Sequence, residues 1–191
     1  MKFLKFFSLF LATVTLSSCF NNDLDYDMQA QYEIEKPLIQ QYVQENLPGA
    51  TLDTATGIWY QILDIGDEED TYVYKTLGAG GGIESPIIQV KYTLRLLNGT
   101  VVDKVDTEQG FTSNLAGLIQ AWHIAFLPKK IGELNTGGFT ENGLQKNSRI
   151  RFVTPSMWGY QNRSFGNVPA DSPLDFTIEV LDVKAPTNTI N

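Results

Sequence analysis

The feature that most constrains this sequence is a long alternating pattern that ends in a hairpin turn. Between residues 88 and 96 every second side chain is apolar: Ile88, Val90, Tyr92, Leu94 and Leu96. A period of two is that of a β-strand with one buried face. Asn98-Gly99 follows and is typical of a two-residue hairpin turn, so we expect the chain to return antiparallel through residues 100–105. The chain therefore has to build an antiparallel sheet.

Other segments predict the rest of the fold. Alternation predicts three more strands, at residues 57–65, 149–153 and 174–183. Apolar residues at helical spacing predict a short helix over residues 117–126 and an amphipathic helix that starts at Pro37 and ends at Leu47. Together these elements predict an α+β domain over residues 57–186, in which an antiparallel sheet of about five strands wraps one short helix. An extra N-terminal helix and a linker occupy residues 37–56.

The first residues have the organisation of a bacterial export signal. Lys2 and Lys5 precede an apolar run over residues 6–16, which is too short to span a bilayer and suits a signal peptide. Leu16-Ser17-Ser18-Cys19 then resembles the lipobox, in which the cysteine is lipidated and becomes the new N-terminus. We therefore predict a lipoprotein signal peptide over residues 1–18, lipidation at Cys19 and an acidic tether over residues 19–36. The alternative is an ordinary secretory peptide with an incidental cysteine, or an uncleaved anchor.

The anchor and the net charge together predict where the protein works. A lipidated cysteine predicts a membrane-anchored protein outside the cytoplasm, in the outer membrane, and leaves both the periplasmic and the surface face open. The net charge of −8 argues against binding to nucleic acid and against adhesion to anionic lipid, because both need clustered Lys and Arg. We therefore expect membrane contact through the lipid anchor only. The sequence leaves the oligomeric state unknown.

The usual catalytic motifs are missing from the sequence. With one cysteine and one histidine, the chain lacks the roughly four Cys or His ligands of a structural zinc site. HExxH, GxSxG and Walker sequences are absent as well. We therefore expect a protein that uses no metal and no cofactor. What remains is a set of aromatic residues spread over several parts of the predicted domain: Tyr92, Phe111, Trp122, Tyr160 and Phe176.

Four segments carry a family resemblance. Residues 90–104 read VKYTLRLLNGTVVDK, similar to V-x-Y-x-G-x-L-x-D-G-x-x-F-D, and residues 115–122 read LAGLIQAW, similar to L-x-x-V-I-x-G-W. Residues 154–161 read TPSMWGYQ, similar to I-P-P-E-L-A-Y-G, and residues 168–183 read VPADSPLDFTIEVLDV, similar to I-P-P-N-S-x-L-x-F-x-V-E-L-L-x-V. In this order and spacing, the four segments resemble the FKBP-type peptidyl-prolyl cis-trans isomerases.

The resemblance implies an FKBP-like fold and the rotation of X–Pro bonds in proline-containing polypeptide clients. It implies that Trp122 is the floor of an apolar pocket and that the Ile119 N–H and the Tyr160 hydroxyl bind substrate carbonyls. It also implies that Asp103 either orients Tyr92 or polarises the rim of the pocket. The other pocket residues that it implies are Val102, Phe111, Leu118, Val168 and Phe176. An apolar pocket suits this chemistry because the twisted amide loses its C–N resonance, which sets a barrier of about 18–20 kcal/mol, and becomes less dipolar.

The sequence also departs from the family pattern. Val102 stands where the family commonly has Phe, and this removes an aromatic wall. Gln161 stands where the family has Gly, at a position where a positive φ disfavours other residues. Residues 129–147 are longer than the family pattern and predict a surface insertion. Two alternatives to an isomerase acting on exported proteins follow: an FKBP-like peptide-binding or chaperone lipoprotein with little turnover, and a glycan-binding surface lipoprotein.

Overall fold

A computed structural model describes residues 26–69, 71–78 and 82–186. The predicted signal peptide, Cys19 and the start of the predicted tether lie outside the described residues. The described ranges contain helix α1 over Met28–Asn46 and helix α2 over Gln120–Phe126. They also contain short 3-10 helices at Leu115–Gly117 and Ser156–Trp158. None of the helices in these ranges has both the length and the apolar character needed to cross a bilayer.

The strands form one main sheet and two small hairpins. The strands in chain order are β1 (Thr51–Leu52), β2 (Trp59–Asp64), β3 (Thr76–Leu77), β4 (Gly82–Ile83), β5 (Ile87–Leu96), β6 (Val101–Val105), β7 (Phe111–Asn114), β8 (Lys130–Ile131), β9 (Leu134–Asn135), β10 (Arg149–Thr154) and β11 (Leu174–Lys184). The main sheet is antiparallel, with strand order β1-β2-β10-β11-β5-β6 and with β7 paired to β5. The predicted α+β architecture is confirmed. The sheet exceeds the predicted five strands because the short β1 and β7 join it.

One face of the sheet packs against α2. Phe152 lies opposite Phe176 across β10 and β11, and Phe176 lies opposite Leu94 in β5, so these three side chains share a face. All three are buried, and so are Trp122 and Phe126 of α2 in the same apolar cluster. The alternation along β5 and β11 thus points the predicted apolar side chains toward the helix. We call this side of the sheet the α2 face.

Helix α1 packs on the opposite face. Val153 follows Phe152 along β10 and therefore points the other way, where it packs with Ile39 and Val43 of α1. A buried polar network adds to this contact. Asp175 is fully buried and accepts hydrogen bonds from Arg151 Nε at 3.0 Å, from Arg151 Nη2 at 2.8 Å and from the Tyr42 hydroxyl at 2.8 Å. The predicted N-terminal helix is therefore present and docked on the domain.

The start of that helix differs from the prediction. Helix α1 begins at Met28 rather than at Pro37, so the predicted tether is wrong for residues 28–36. The Asp27 carboxylate caps the helix by accepting hydrogen bonds from the N–H groups of Gln29 and Ala30. A proline lacks the N–H that donates a hydrogen bond inside a helix, and for this reason the sequence predicted that the helix starts at Pro37. The cap at Asp27 and the packing of the two turns after Pro37 keep the helix continuous through this proline.

The predicted surface insertion is also wrong in part. Strands β8 and β9 form a small, largely exposed hairpin, but Phe139, Leu144 and Gln145 are buried. The Phe139 ring stacks on Tyr60 of β2, with ring centroids 4.1 Å apart. The insertion turns inward because its apolar residues cover the β2 edge of the α2 face. We call the following set the insertion cluster: Tyr60, Tyr72, Tyr74, Phe139, Leu144 and Gln145.

Candidate active site

Four of the predicted aromatic residues converge on the α2 face near β5. Trp122 of α2 contacts Tyr92 of β5 and Phe176 of β11 edge to face, with ring centroids 5.6 and 5.7 Å apart. Tyr92 contacts Phe111 of β7 in the same manner at 5.8 Å. Edge-to-face contacts at these distances are favourable for aromatic pairs. We call Tyr92, Phe111, Trp122 and Phe176 the site cluster.

The other predicted apolar residues pack against the same core, at different depths. Val102, Leu118, Ile119 and Tyr160 are half-buried, as are Tyr92 and Phe111. Trp122 and Val168 are 4% exposed and Phe176 is 2% exposed. The half-buried residues thus form the accessible part of the region, above a base that is closed to solvent. The predicted roles of Trp122, Val168 and Phe176 as surfaces of an open pocket stay predictions.

Asp103 of β6 contacts Tyr92 as the resemblance implies. The Tyr92 hydroxyl donates a hydrogen bond to Asp103 Oδ2 at 2.6 Å, and Asp103 Oδ1 accepts one from the Lys104 N–H at 2.8 Å. Burial raises the pKa of Tyr92, and the hydrogen bond to Asp103 raises it further. The hydroxyl therefore stays protonated and directed at the carboxylate, and the Tyr92 ring is held at the edge of the site cluster.

Tyr160 lies on the turn that follows the second 3-10 helix. Its ring stacks on Phe165, with centroids 4.7 Å apart. No described residue forms a hydrogen bond with its hydroxyl, although burial, followed by the charge of Asp103, raises the pKa of this group. Tyr160 thus presents a protonated hydroxyl that can donate to a ligand. Phe165 is an aromatic neighbour that the sequence analysis missed. The one sign of it in the sequence is that a large apolar residue stands in an otherwise polar loop.

Ile119 offers a second donor at the start of α2. It is the N-cap residue and has an extended backbone, with φ −64° and ψ 154°. Within the described part of the chain nothing accepts a hydrogen bond from its N–H. The next residue, Gln120, lines a cleft of about 500 Å³ together with Tyr160 and Phe165. Tyr160 thus lines this cleft, and Ile119 immediately precedes a residue that lines it.

The residue after Tyr160 has the backbone conformation that the sequence analysis anticipated. Gln161 has a φ of +56°, a left-handed conformation that non-glycine residues rarely adopt. Its N–H donates to the Ser156 carbonyl at 3.0 Å, and its carbonyl accepts from the Asp171 N–H at 2.8 Å. The turn thus holds a strained residue between two hydrogen bonds.

Among the described residues no group of three or more His, Cys, Asp or Glu side chains could hold a metal ion.

Comparison with known families decides the class of this fold and site. A family model described as FKBP-type peptidyl-prolyl cis-trans isomerase matches residues 84–181, slightly more than half of the chain. The chain belongs to this family. The matched range contains all of the predicted catalytic and pocket residues, from Tyr92 to Phe176. The predicted family and the predicted enzyme class, a peptidyl-prolyl cis-trans isomerase, are therefore confirmed.

Two solved structures share the fold. FkpA from Escherichia coli is 21% identical, with a TM-score of 0.55 over 83% of this chain and 63% of that one. The chain thus spans less than two thirds of the length of FkpA. A peptidyl-prolyl cis-trans isomerase from Pseudomonas syringae pv. tomato is 20% identical, with a TM-score of 0.53 over 84% of this chain and 98% of that one. A comparison with curated proteins found no match.

Proposed function

We propose that this FKBP-type chain catalyses the rotation of X–Pro bonds in exported, proline-containing polypeptides. The observation that carries the proposal is the pair of unused donors beside the site cluster. The Tyr160 hydroxyl and the Ile119 N–H have no hydrogen-bond partner among the described residues, although both groups belong to residues that pack against the buried core. A ligand that covered these groups would have to supply a hydrogen-bond acceptor for each, and a peptide carbonyl is such an acceptor.

The roles that we propose follow from the depth of each residue. The proline ring of the substrate packs on the half-buried side chains Tyr92, Phe111 and Ile119, above the buried Trp122. The Ile119 N–H and the Tyr160 hydroxyl donate to substrate carbonyls and hold the peptide on either side of the ring. Apolar contact favours the twisted, less dipolar amide over the planar one, which lowers the barrier by differential binding. No proton has to be transferred.

We also propose that the domain works at the outer membrane, attached through a lipid on Cys19. The support is the order of charge, apolar run and small residues before that cysteine. Replacing Cys19 by Ala is expected to move the protein from the membrane fraction to the soluble fraction after cell lysis and centrifugation. Unchanged membrane association of the variant would contradict the anchor.

A proline-limited refolding assay tests the activity. We expect the wild type to accelerate refolding, and Tyr160→Phe to lower kcat/KM about five- to tenfold, which is the loss of one neutral hydrogen bond. Tyr72→Phe is the matched control. It also removes a tyrosine hydroxyl, but one that belongs to the insertion cluster and donates to Glu84. Equal activity of Tyr160→Phe and the wild type would contradict the proposal. Binding of proline peptides without acceleration would instead indicate a peptide-binding lipoprotein.

A further inference from the structure

Glu35 of α1 is a buried carboxylate without a cation beside it. It is 2% exposed, and no described lysine, arginine or histidine forms an ion pair with it. Its oxygens accept hydrogen bonds from the Ser156 N–H at 2.8 Å, from the Ser156 hydroxyl at 2.5 Å and from Gln31 Nε2 at 2.8 Å. A buried charge is costly unless it is hydrogen-bonded. Ser156 supplies two of the three hydrogen bonds to this carboxylate, so the effect of Glu35 has to be sought at Ser156.

Ser156 begins the turn that carries Tyr160. Its carbonyl accepts hydrogen bonds from the Gly159 N–H at 2.8 Å and from the Gln161 N–H at 3.0 Å. These two N–H groups flank Tyr160 on either side. The Ser156 hydroxyl, which donates to Glu35, also lies 3.0 Å from the Tyr26 hydroxyl. Ser156 is therefore held on its N–H and side chain by the N-terminal segment, while its carbonyl holds the Tyr160 turn.

The strained backbone at Gln161 needs such an attachment. A left-handed non-glycine residue persists only where the surrounding contacts determine its conformation. Glu35 fixes Ser156, and the Ser156 carbonyl is the acceptor that holds the Gln161 N–H. Loss of the carboxylate would let the turn relax and would move the Tyr160 hydroxyl that it carries.

Glu35 is not the only residue that docks α1 on the domain. The helix is held separately by Ile39 and Val43 in the apolar contact with Val153, and by the hydrogen bond from Tyr42 to Asp175. These contacts lie one to two turns further along the helix. The specific consequence of the Glu35 contact is therefore local to Ser156 and the turn after it.

We propose that Glu35 is a positioning residue for isomerisation, which acts through Ser156 to set the Tyr160 hydroxyl at the cleft. The inference rests on the proposed function, because it assigns Tyr160 a contact with substrate. It makes the N-terminal helix, which lies outside the range matched by the family model, a part of the catalytic apparatus.

A double-mutant cycle tests the inference. kcat/KM for a proline-containing peptide is measured for the wild type, Glu35→Ala, Tyr160→Phe and the double variant. We expect Glu35→Ala to lower kcat/KM about tenfold when Tyr160 is present, and less than about twofold in the Tyr160→Phe background. Glu33→Ala is the matched control, because Glu33 is exposed on the same helix and bonds only to neighbouring helix residues. We expect no change for that variant.

The outcomes separate the inference from the proposed function. If Tyr160→Phe lowers kcat/KM but Glu35→Ala acts by the same factor in both backgrounds, Glu35 is merely structural and the inference is overturned. If Tyr160→Phe has no effect, the proposed function itself is overturned, and the inference with it. Should Glu35→Ala fail to fold, Ser156→Ala takes its place, because it removes the hydroxyl contact and keeps the N–H contact. We expect about a threefold loss that depends on Tyr160, and equal factors in both backgrounds would again overturn the inference.

Discussion

The α2 face carries two groups of aromatic rings, the insertion cluster and the site cluster. They differ in how many of the polar atoms in and around them are hydrogen-bonded within the protein. In the insertion cluster, at the β2 edge, the Tyr74 hydroxyl donates to the Leu144 carbonyl at 2.8 Å. The Gln145 side chain accepts from the Tyr72 N–H and donates to the Asn142 carbonyl, both at 2.8 Å. Around the site cluster, near β5 and β7, the Tyr160 hydroxyl has no partner among the residues described. Most polar groups of the insertion cluster are therefore bonded within the protein, whereas the Tyr160 hydroxyl beside the site cluster is left for the ligand that we propose.

This difference teaches that rings alone do not mark a site. Phe139 and Tyr60 stack as closely as any pair near Trp122, and a cleft of about 600 Å³ adjoins them. Two groups in this region lack a hydrogen-bond partner among the described residues: the hydroxyl of Tyr60, which belongs to the insertion cluster, and the buried Oγ1 of Thr140, which follows Phe139. We propose that the distinguishing feature is the pair of donors, the Ile119 N–H and the Tyr160 hydroxyl, on residues that pack against the apolar core.

The largest expected effect is on stability, in the insertion cluster. Phe139→Ala removes a buried ring from its stack on Tyr60 and is expected to lower the free energy of unfolding by about 3–5 kcal/mol. At temperatures where the variant is folded, its kcat/KM should equal that of the wild type. Urea unfolding and the refolding assay measure the two quantities. Leu134→Ala, in the exposed β8–β9 hairpin, is the control and should change stability by less than about 0.5 kcal/mol. Lost activity in folded Phe139→Ala would end the distinction between the two clusters.

The next effect is on activity, in the site cluster. Asp103→Ala leaves the Tyr92 hydroxyl without its acceptor and should lower kcat/KM about tenfold, since a hydrogen bond to a charged group contributes about 1.5 kcal/mol. Asp106→Ala is the matched control, because Asp106 is exposed and pairs with Lys104. Peptide isomerisation by both variants is the measurement. Equal losses in the two would mean that general surface charge matters, rather than the orientation of Tyr92.

Much of the fold could be predicted because its signals are local. The alternation over β5 and β11, with the turn at Asn98-Gly99, places Tyr92 and Phe176 on one face before any tertiary contact is known. The ordered family motifs then bring Trp122 and Asp103 to the same region. These inferences held because period and turn chemistry act within a few residues.

The parts that failed depend on contacts distant in sequence. Glu35 read as one charge of a tether because its partner, Ser156, lies 121 residues away. Phe139 read as surface because Tyr60, which it stacks on, belongs to a strand far earlier in the chain. Strand β7 was missed because its four residues carry no alternating apolar pattern and are paired only through β5. Neither spacing nor composition records such partners.

A smaller effect is expected where the site departs from its family. Val102→Phe would restore an aromatic wall beside Tyr92 and should raise kcat/KM about threefold, because an added aromatic contact contributes about 0.5–1.5 kcal/mol. Val101→Phe is the matched control, since Val101 is exposed and its side chain points to the other face of β6. The same peptide assay compares the two. A gain in both variants would assign the effect to a larger apolar surface and not to the site wall.

The smallest expected effect is that of pH on kcat/KM, and it tests whether the Tyr160 hydroxyl acts as a hydrogen-bond donor. Burial and the charge of Asp103 raise the pKa of Tyr160 above the ordinary tyrosine value of about 10, so its hydroxyl remains a donor throughout the neutral range. We expect kcat/KM to be flat between about pH 6 and about pH 9, where no group in the proposed mechanism changes charge. Loss should begin only above the ordinary tyrosine range, because ionisation removes the donor and places a negative charge against a substrate carbonyl. Tyr160→Phe should lose this alkaline decline while keeping the flat region. A limb near neutral pH in the wild type would show that a titrating group assists the reaction, and the mechanism by apolar contact and fixed donors would then be wrong.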